Sequence, residues 1–449
     1  MFLTGKKDKE QTMASRFSPA AAAVSRRGVL GGAAGLGTMA LLAACGAGGK
    51  SAAAGARFTF WDMQWGGTDY AQNVGKLVGG WHPSDGASAK YQNIPWTNWY
   101  QTFTSAIAAR KAPAVSSGAS FQPFQFFQQG AIEPADGIVA KLKKSGTYDD
   151  FLPGTIDSLK YQGSYVAVPY HISINGLWYR PDLLAKAGTD VPTTWDEFRA
   201  TCRALKKIGV FGYSIPGSPK ETGYQEVLTW LVNNGGGWFN EQGKPECVTD
   251  RNIEAVEFLQ SLVKDGYINP TNVSYTSVQS AQDFASGQLG MMMAGPNSDL
   301  QSFPNVKSAV MKPLTGPHGD KGALQWVDPL MMYKGASNVS DVEDFVVWLL
   351  DAIKPAFGDG TYNRLPARKS FQQVAGVKNS ASSQVLLNDW VPIAKSIATR
   401  SPESFPALNS IEGAPVTATF TAQVVQAKLS PRAILQQLQD SYERLHYSK

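Results

Sequence analysis

Strand-like and helix-like segments alternate along the chain from Phe58 onward, and this alternation restricts the fold to a layered α/β architecture. Residues 58–61 read as a strand, 99–111 as a helix, 166–170 as an extended segment, and 174–188 as a strand running into a short helix. About 400 residues follow Cys45, more than one hydrophobic core usually organises, so two domains are expected.

Two local units carry sharper signals. In VPTTWDEFRATCRALKKIG, residues 191–209, Thr194 and Glu197 stand at capping-box spacing, and Trp195, Phe198, Cys202, Leu205 and Ile208 form one apolar stripe. Lys206 and Lys207 suit the C-terminal end of a helix dipole, and Gly209 suits a stop. Residues 249–270 repeat the logic, with Asp250 as cap, Ile253, Val256, Leu259 and Val263 inward, and Gly266 and Pro270 as terminators. The closing segment places Pro431 in a first helical turn. Trp348, like Trp195, fits a helical stripe, which assigns both to the core.

The N-terminus has a different composition. Arg26 and Arg27 precede a Gly- and Ala-rich apolar stretch of 17 residues, 28–44, which is short and weakly hydrophobic for a membrane-spanning helix. Paired arginines before such a stretch read as a twin-arginine export signal. Leu42-Ala43-Ala44-Cys45 resembles a bacterial lipobox, which makes Cys45 the expected lipidated first residue and 45–56 a flexible tether to the membrane. Residues 1–44 hold six of the Lys/Arg and two of the Asp/Glu, leaving 35 against 34 downstream. No basic block remains to suggest nucleic acid, and no later run approaches the roughly 18 apolar residues of a membrane span. Cys202 and Cys247 follow the signal into an oxidising location, where a disulfide and two buried free thiols both remain open.

Chemistry is hard to find. His82, His171, His318 and His446 show no metal-ligand spacing, and HExxH, GxSxG, P-loop and dinucleotide fingerprints are absent, so neither a metal nor a cofactor is expected. Two carboxylates brought together by folding would suffice for a glycosidase, which leaves a secreted enzyme as the rival class.

Several segments, in order, resemble the extracellular solute-binding proteins of ABC importers, in the sugar-binding branch. They are YQGSYVAVPYHISINGLWYRPDLLAKAG (161–188), VPTTWDEFRATCRAL (191–205), NNGGGWFNEQGK (233–244), IEAVEFLQSLVKDGYINP (253–270), FASGQLGMMMAGPN (284–297) and DGTYNRLPARKS (359–370). The resemblance implies a two-lobed type II periplasmic-binding-protein fold, a ligand held in the cleft between discontinuous lobes, an ABC permease as partner, a monomer, and no catalysis. The lobes implied are 57–168 with 325–357, and 169–324 with 358–449. Where the family often shows Pro-Asp-Val, this chain has Pro113-Ala114-Val115, which removes a carboxylate from that loop.

Sugars present directed hydroxyls and an apolar C–H face, so their sites combine aromatic platforms with short polar side chains. The tryptophans, all twelve beyond Cys45, provide such platforms, several in turn-rich polar stretches. The candidates are Trp65, then Asn98 and Trp99 at a helix start, and Tyr170 and His171 at the first expected crossover between lobes. Asn234 and Trp238 flank a triple glycine that permits close backbone approach, and Asn297 follows Gly295-Pro296. Trp326 and Asp328 begin the second crossover and Arg364 the third. Each competes with a role in core or loop packing. A polyamine, a peptide or an anion is the alternative cargo.

Overall fold

The computed structural model describes residues 55–219, 224–336, 338–358 and 360–447, with the side chains through residue 445. The lipobox, Cys45, the tether to residue 54 and the side chain of His446 lie outside them. Two sheets organise the described chain.

The larger sheet has the order β11-β10-β3-β1-β2, with β6 also paired to β10. Its strands are β1 (Arg57–Met63), β2 (Ser88–Ile94), β3 (Val115–Ser117), β6 (Val168–Ile174), β10 (Ala323–Met332) and β11 (Ala394–Lys395); a small hairpin of β4 (Lys160–Tyr161) and β5 (Ser164–Tyr165) lies beside it in sequence. β1 runs parallel to β2 and β3, so the helix Thr68–Gly79 must return the chain between β1 and β2. The second sheet is β8 (Met291–Ala294), β7 (Gly176–Tyr179) and β9 (Ala309–Val310), in the order β8-β7-β9.

Passage between the sheets is abrupt. β6 ends at Ile174 and β7 begins at Gly176, so Asn175 alone separates a strand of the first sheet from a strand of the second. β10 is long enough to pair with β11 at its start, β6 along its middle and β3 at its end. Pro329, which has no N–H to give a ladder, marks a shift of register in the β10–β6 pairing just after Asp328. Residues 365–374, which the sequence places in the second lobe, are fastened to the first: Arg368 Nε donates to Asp150 Oδ2 at 2.8 Å, Ser370 N to Asp150 Oδ1 at 2.8 Å, and Phe371 lies 5.8 Å from Phe357.

Aromatic clusters fill both halves. Phe58, Phe60, Trp81 and Phe345 interlock at the first sheet, while Trp195, Phe198, Tyr213, Trp230 and Phe258 interlock at the second. The helix Trp195–Lys207 begins as expected, with Thr194 Oγ1 accepting from Glu197 N at 3.2 Å and the Glu197 carboxylate turned back to Thr193. The helix Asp250–Lys264 corrects the expected cap by one residue. Thr249, in extended conformation, accepts from Asn252 N, and Asp250 is the first helical residue, where its charge suits the N-terminal dipole. Its buried face is Asn252, Ala255, Val256, Leu259 and Leu262, rotated so that Ile253 and Val263 are half-buried.

Cys202 and Cys247 are both free and both buried. Cys202 packs so tightly on Gly212 that a Cβ there would sit 2.5 Å from its sulfur, and Cys247 Sγ lies 3.6 Å from the Trp238 carbonyl. Apolar burial pushes both thiols well above their ordinary range, which keeps them unreactive. Trp195 is 3% exposed, donates to Asn233 Oδ1 at 2.7 Å, and lies 4.5 Å from the Phe258 ring. Trp195→Ala is therefore expected to lower stability by about 3 to 5 kcal/mol, measured by denaturant unfolding.

Candidate functional site

β1 buries Phe60 and, two residues on and on the same face, Asp62. A carboxylate at an inward strand position needs donors, and four side chains from the surrounding elements supply them. Ser117 Oγ donates to Asp62 at 2.6 Å, Tyr70 Oη at 2.8 Å, Trp65 Nε1 at 3.2 Å and Tyr91 Oη at 3.3 Å. Burial nevertheless dominates and pushes the Asp62 carboxyl up to about 7, against the pull of these donors.

Trp65 is held on every side. Its N–H also reaches Ser117 Oγ at 2.9 Å, its ring meets Trp96 and His171 edge-to-face at 5.0 and 4.4 Å, and the Arg364 guanidinium lies 4.8 Å over it. It is 1% exposed. Trp96 in front of it is half-buried and spends its N–H on the Gln64 carbonyl at 2.9 Å, which leaves its apolar face at the surface.

The other side of Trp65 belongs to the segments that join the sheets. His171 on β6 stands opposite Asp328 on β10, with Nε2 3.2 Å from Asp328 Oδ2, while its Nδ1 is hydrogen-bonded to the Tyr362 hydroxyl. Burial pushes His171 down to about 4, with Asp328 pulling the other way, so the ring is neutral at neutral pH. With Nδ1 accepting from tyrosine, the ring proton sits on Nε2 and faces Asp328. Ser173 donates to the same carboxylate, and Arg364 Nε approaches it at 3.9 Å. Tyr362 stacks on Tyr70 at 4.8 Å, which returns the network to Asp62. Its carbonyl accepts from Asn297 Nδ2 at 2.8 Å, and Asn297 adopts the left-handed conformation with φ 56°.

The structure thus gathers Trp65, Tyr170, His171, Asn297, Trp326, Asp328 and Arg364 from the sequence candidates, with Trp326 opposite Ser173 on the paired strands. Asn98 is exposed with φ 58°, and Trp99 is half-buried against Phe121 and Tyr100, each at 5.7 Å. Asn234 and Trp238 are elsewhere. Trp238 is fully buried among Tyr224, Phe420 and Tyr442, and Asn234 bonds Arg251 O at 2.9 Å and Glu254 Oε2 at 2.7 Å. The close backbone approach read from the triple glycine is real, but Thr399 fills it: a Cβ on Gly237, φ 153°, would lie 2.5 Å from Thr399 Cβ. Ala114 contributes only through its backbone, which bonds Thr59 and Tyr333.

Sequence reasoning passed over Asp62, Ser117, Tyr362 and Trp96. An acid closing the apolar run FTFWDM was the available signal for the first; Trp96 stood in the noted NIPWTNWY.

Several buried polar atoms here lack aligned hydrogen-bond partners: Tyr170 Oη, His171 Nε2, Gln325 Oε1 and Arg364 Nε. Charges are nearly balanced, with Arg364 beside Asp328 and a neutral His171 between. Among the described residues there is no group of three or more His, Cys, Asp or Glu able to hold a metal, and no helix is long and apolar enough to cross a membrane.

The family model described as bacterial extracellular solute-binding protein matches residues 85–353. A putative binding protein of Brucella abortus is 28% identical over 277 residues, 60% of this chain and 65% of the relative, so the chain spans just under two thirds of the length of such curated relatives. A mannitol-binding protein of Pseudomonas aeruginosa is 28% identical over 141 residues, 30% of this chain and 31% of its own. Among solved structures, a sugar transporter of Arthrobacter chlorophenolicus with bound laminaribiose superposes with a TM-score of 0.82 and 34% identity, covering 86% of this chain and 98% of its own. The GacH receptor of Streptomyces glaucescens, at TM-score 0.73 and 22% identity over 87% of this chain and 98% of its own, shares the two-lobed fold.

Asp62 and His171 give folding stability opposite pH slopes. The Asp62 contribution, with the carboxyl raised from 3.8 to about 7, is complete below the unfolded value and is lost as pH rises to about 7. The His171 contribution, with the ring lowered from 6.5 to about 4, is complete above the unfolded value and is lost as pH falls to about 4. Between those limits the two largely cancel. Asp62→Asn should leave stability rising with pH by about 1.4 kcal/mol per unit, and His171→Gln should leave it falling as steeply. Denaturant midpoints taken from acid to neutral pH check this, and parallel profiles for wild type and both variants would refute it.

Proposed function

The chain belongs to the bacterial extracellular solute-binding proteins, and we propose that it captures a neutral carbohydrate for an ABC importer. The observation that carries this reading is the set of buried polar atoms on the joining segments that lack a hydrogen-bond partner, Tyr170 Oη, Gln325 Oε1 and Arg364 Nε, beside the edge-to-face rings of Trp65, Trp96 and His171. Leaving buried donors and acceptors without partners is costly, and hydroxyls of a polyol are both donor and acceptor, so one ligand class satisfies all three. The balanced charge argues against the alternative cargoes. A polyamine would meet Arg364, and an anion would meet Asp328.

In this reading Trp96 offers the platform for the C–H face of a sugar ring, Trp65 supports it from behind, and Arg364, His171 and Asp328 orient hydroxyls. Asn98, Trp99, Asn297 and Trp326 border the same cleft. The lobes meet through β6–β7, the start of β10 and the chain beyond residue 374, so in this reading the sequence-based limits move in two places: residues 169–174, on β6, and residues 365–374 go with the first lobe. Ligand contacts to both lobes favour closure, and the closed form is delivered to the permease. Cys45 carries the lipid that holds the protein at the outer face of the membrane after twin-arginine export, a reading supported by the order of basic region, apolar stretch and lipobox.

Titration followed by tryptophan fluorescence tests the binding reading, with laminaribiose first because a structure sharing 34% identity holds it. Saturable binding of an unchanged oligosaccharide is the expected result, whereas release of reducing ends would favour a glycosidase and preferential binding of spermidine or sulfate would reject the neutral cargo. Arg364→Ala and Trp96→Ala should each weaken binding by roughly thirtyfold, as for loss of a 2 kcal/mol anchor. For the anchor, Cys45→Ala should abolish metabolic labelling with a fatty acid; equal labelling of both proteins would overturn it.

A further inference from the structure

Far in sequence from every joining segment, the two lobes touch again. The helices Trp99–Ala108 and Gln122–Gln128 belong to the first lobe, where Phe103 packs on Trp61 of β1 and on Phe126. The short helix Ala407–Glu412 belongs to the second. It packs there on the helices Val416–Gln426 and Pro431–Tyr447, and the Tyr224 hydroxyl donates to Glu412.

Between these bodies Gln125 Nε2 donates to Ser410 Oγ at 2.9 Å and Gln125 Oε1 accepts from Asn409 Nδ2. One residue past that helix, Gly413 faces the Tyr100 ring so closely that a Cβ would lie 2.7 Å from Cδ2 and 2.8 Å from Cγ. Chain connectivity does not require this contact, because the segments 99–128 and 407–413 are linked only through the joining strands.

We propose that Gln125, Asn409, Ser410 and the Tyr100–Gly413 contact form a clasp that exists only when the lobes are closed, and that these are positioning residues which set ligand affinity without touching the ligand. The idea rests on the sugar-capture reading for its effect on affinity, but its geometry is independent of what is bound. Three features support it. Each half is anchored in its own lobe, so separation of the lobes breaks the contact rather than dragging a loop along. Asn409 is fully buried, and its amide N–H finds its partner on the opposite lobe; opening exposes both groups to water at little cost. Gly413 has φ −76°, which any residue adopts, so glycine is not needed there for backbone freedom and is needed only for room beneath Tyr100.

Binding that is coupled to closure has an apparent affinity scaled by the stability of the closed form. Losing the Gln125 bonds should therefore raise Kd about tenfold, through faster release rather than slower capture. All the groups are neutral, so the loss should be insensitive to ionic strength.

The test uses Gln125→Ala, Gly413→Ala and the double variant Gly413→Ala with Tyr100→Ala. Gly413→Ala should weaken laminaribiose binding at least as much as Gln125→Ala with an unchanged melting temperature of the unliganded protein, and Tyr100→Ala should restore part of the affinity by removing the ring that the new methyl strikes while the Gln125 bonds remain. Wild-type affinity in Gly413→Ala, or no rescue by Tyr100→Ala, would overturn the clasp. A ligand-independent arm replaces Gln125 and Ser410 by cysteine and joins them with a short bismaleimide. Cross-linking should fall when Gly413→Ala is added, and equal yields would also overturn it. If wild type binds no sugar while cross-linking behaves as expected, the carbohydrate reading fails and the clasp stands.

Discussion

The fully buried carboxylate of Asp62 is the fixed point on which the site is built. A carboxylate out of water must gather donors, and the four it gathers come from the β1–helix turn, the following helix, β2 and β3. Three of the donors have a second duty. Trp65 lies under Arg364, Tyr70 stacks on Tyr362, and Ser117 caps the end of β1 by accepting from Met63 N at 2.8 Å. Through Tyr362 the network continues to His171 and Asp328. The first sheet and the segments that leave it are in this way registered to one another by hydrogen bonds, which are directional, rather than by apolar contact, which is not.

Directional networks and apolar clusters divide the molecule between them. Within each half, aromatic rings pack on one another, edge-to-face where Phe58, Phe60 and Trp81 meet Phe345. Between the halves the hydrogen bonds include neutral ones: Asn297 to the Tyr362 carbonyl, and Gln125 to the 407–413 segment. Such bonds are worth little net when water can replace them, so they allow two rigid bodies to part and meet again without large loss. A wide apolar interface in the same place would hold the lobes permanently together.

The near neutrality of the site follows from the same economy. His171 is kept uncharged by burial, so the Asp328 carboxylate is balanced by Arg364 alone. The Arg364 guanidinium, itself held down by desolvation, is spread over the Trp65 ring and over Asn363, with Nε unpartnered. An arginine disposed this way presents N–H groups in a fixed plane, which suits hydroxyl oxygens with set directions.

Several layers of this were legible in the sequence. Periodicity and capping located the helix Trp195–Lys207 with its Thr194 cap, because those signals are carried by residues within one turn of each other. The ordered segments identified the family and, through it, the two-lobed fold. The sequence also determined the supply of aromatic rings, but only the tertiary structure decided which of them have a face left over. Trp238 and Trp96 both stand in polar, turn-rich stretches, yet the first is enclosed by Tyr224, Phe420 and Tyr442 and the second is half-open, because the rings that cover a tryptophan come from distant segments. Glycine at 237 looked like room for a ligand and is room for Thr399, 162 residues away. Local pattern fixes what a residue can do; burial by non-local neighbours fixes what it does, and no short window of sequence contains those neighbours.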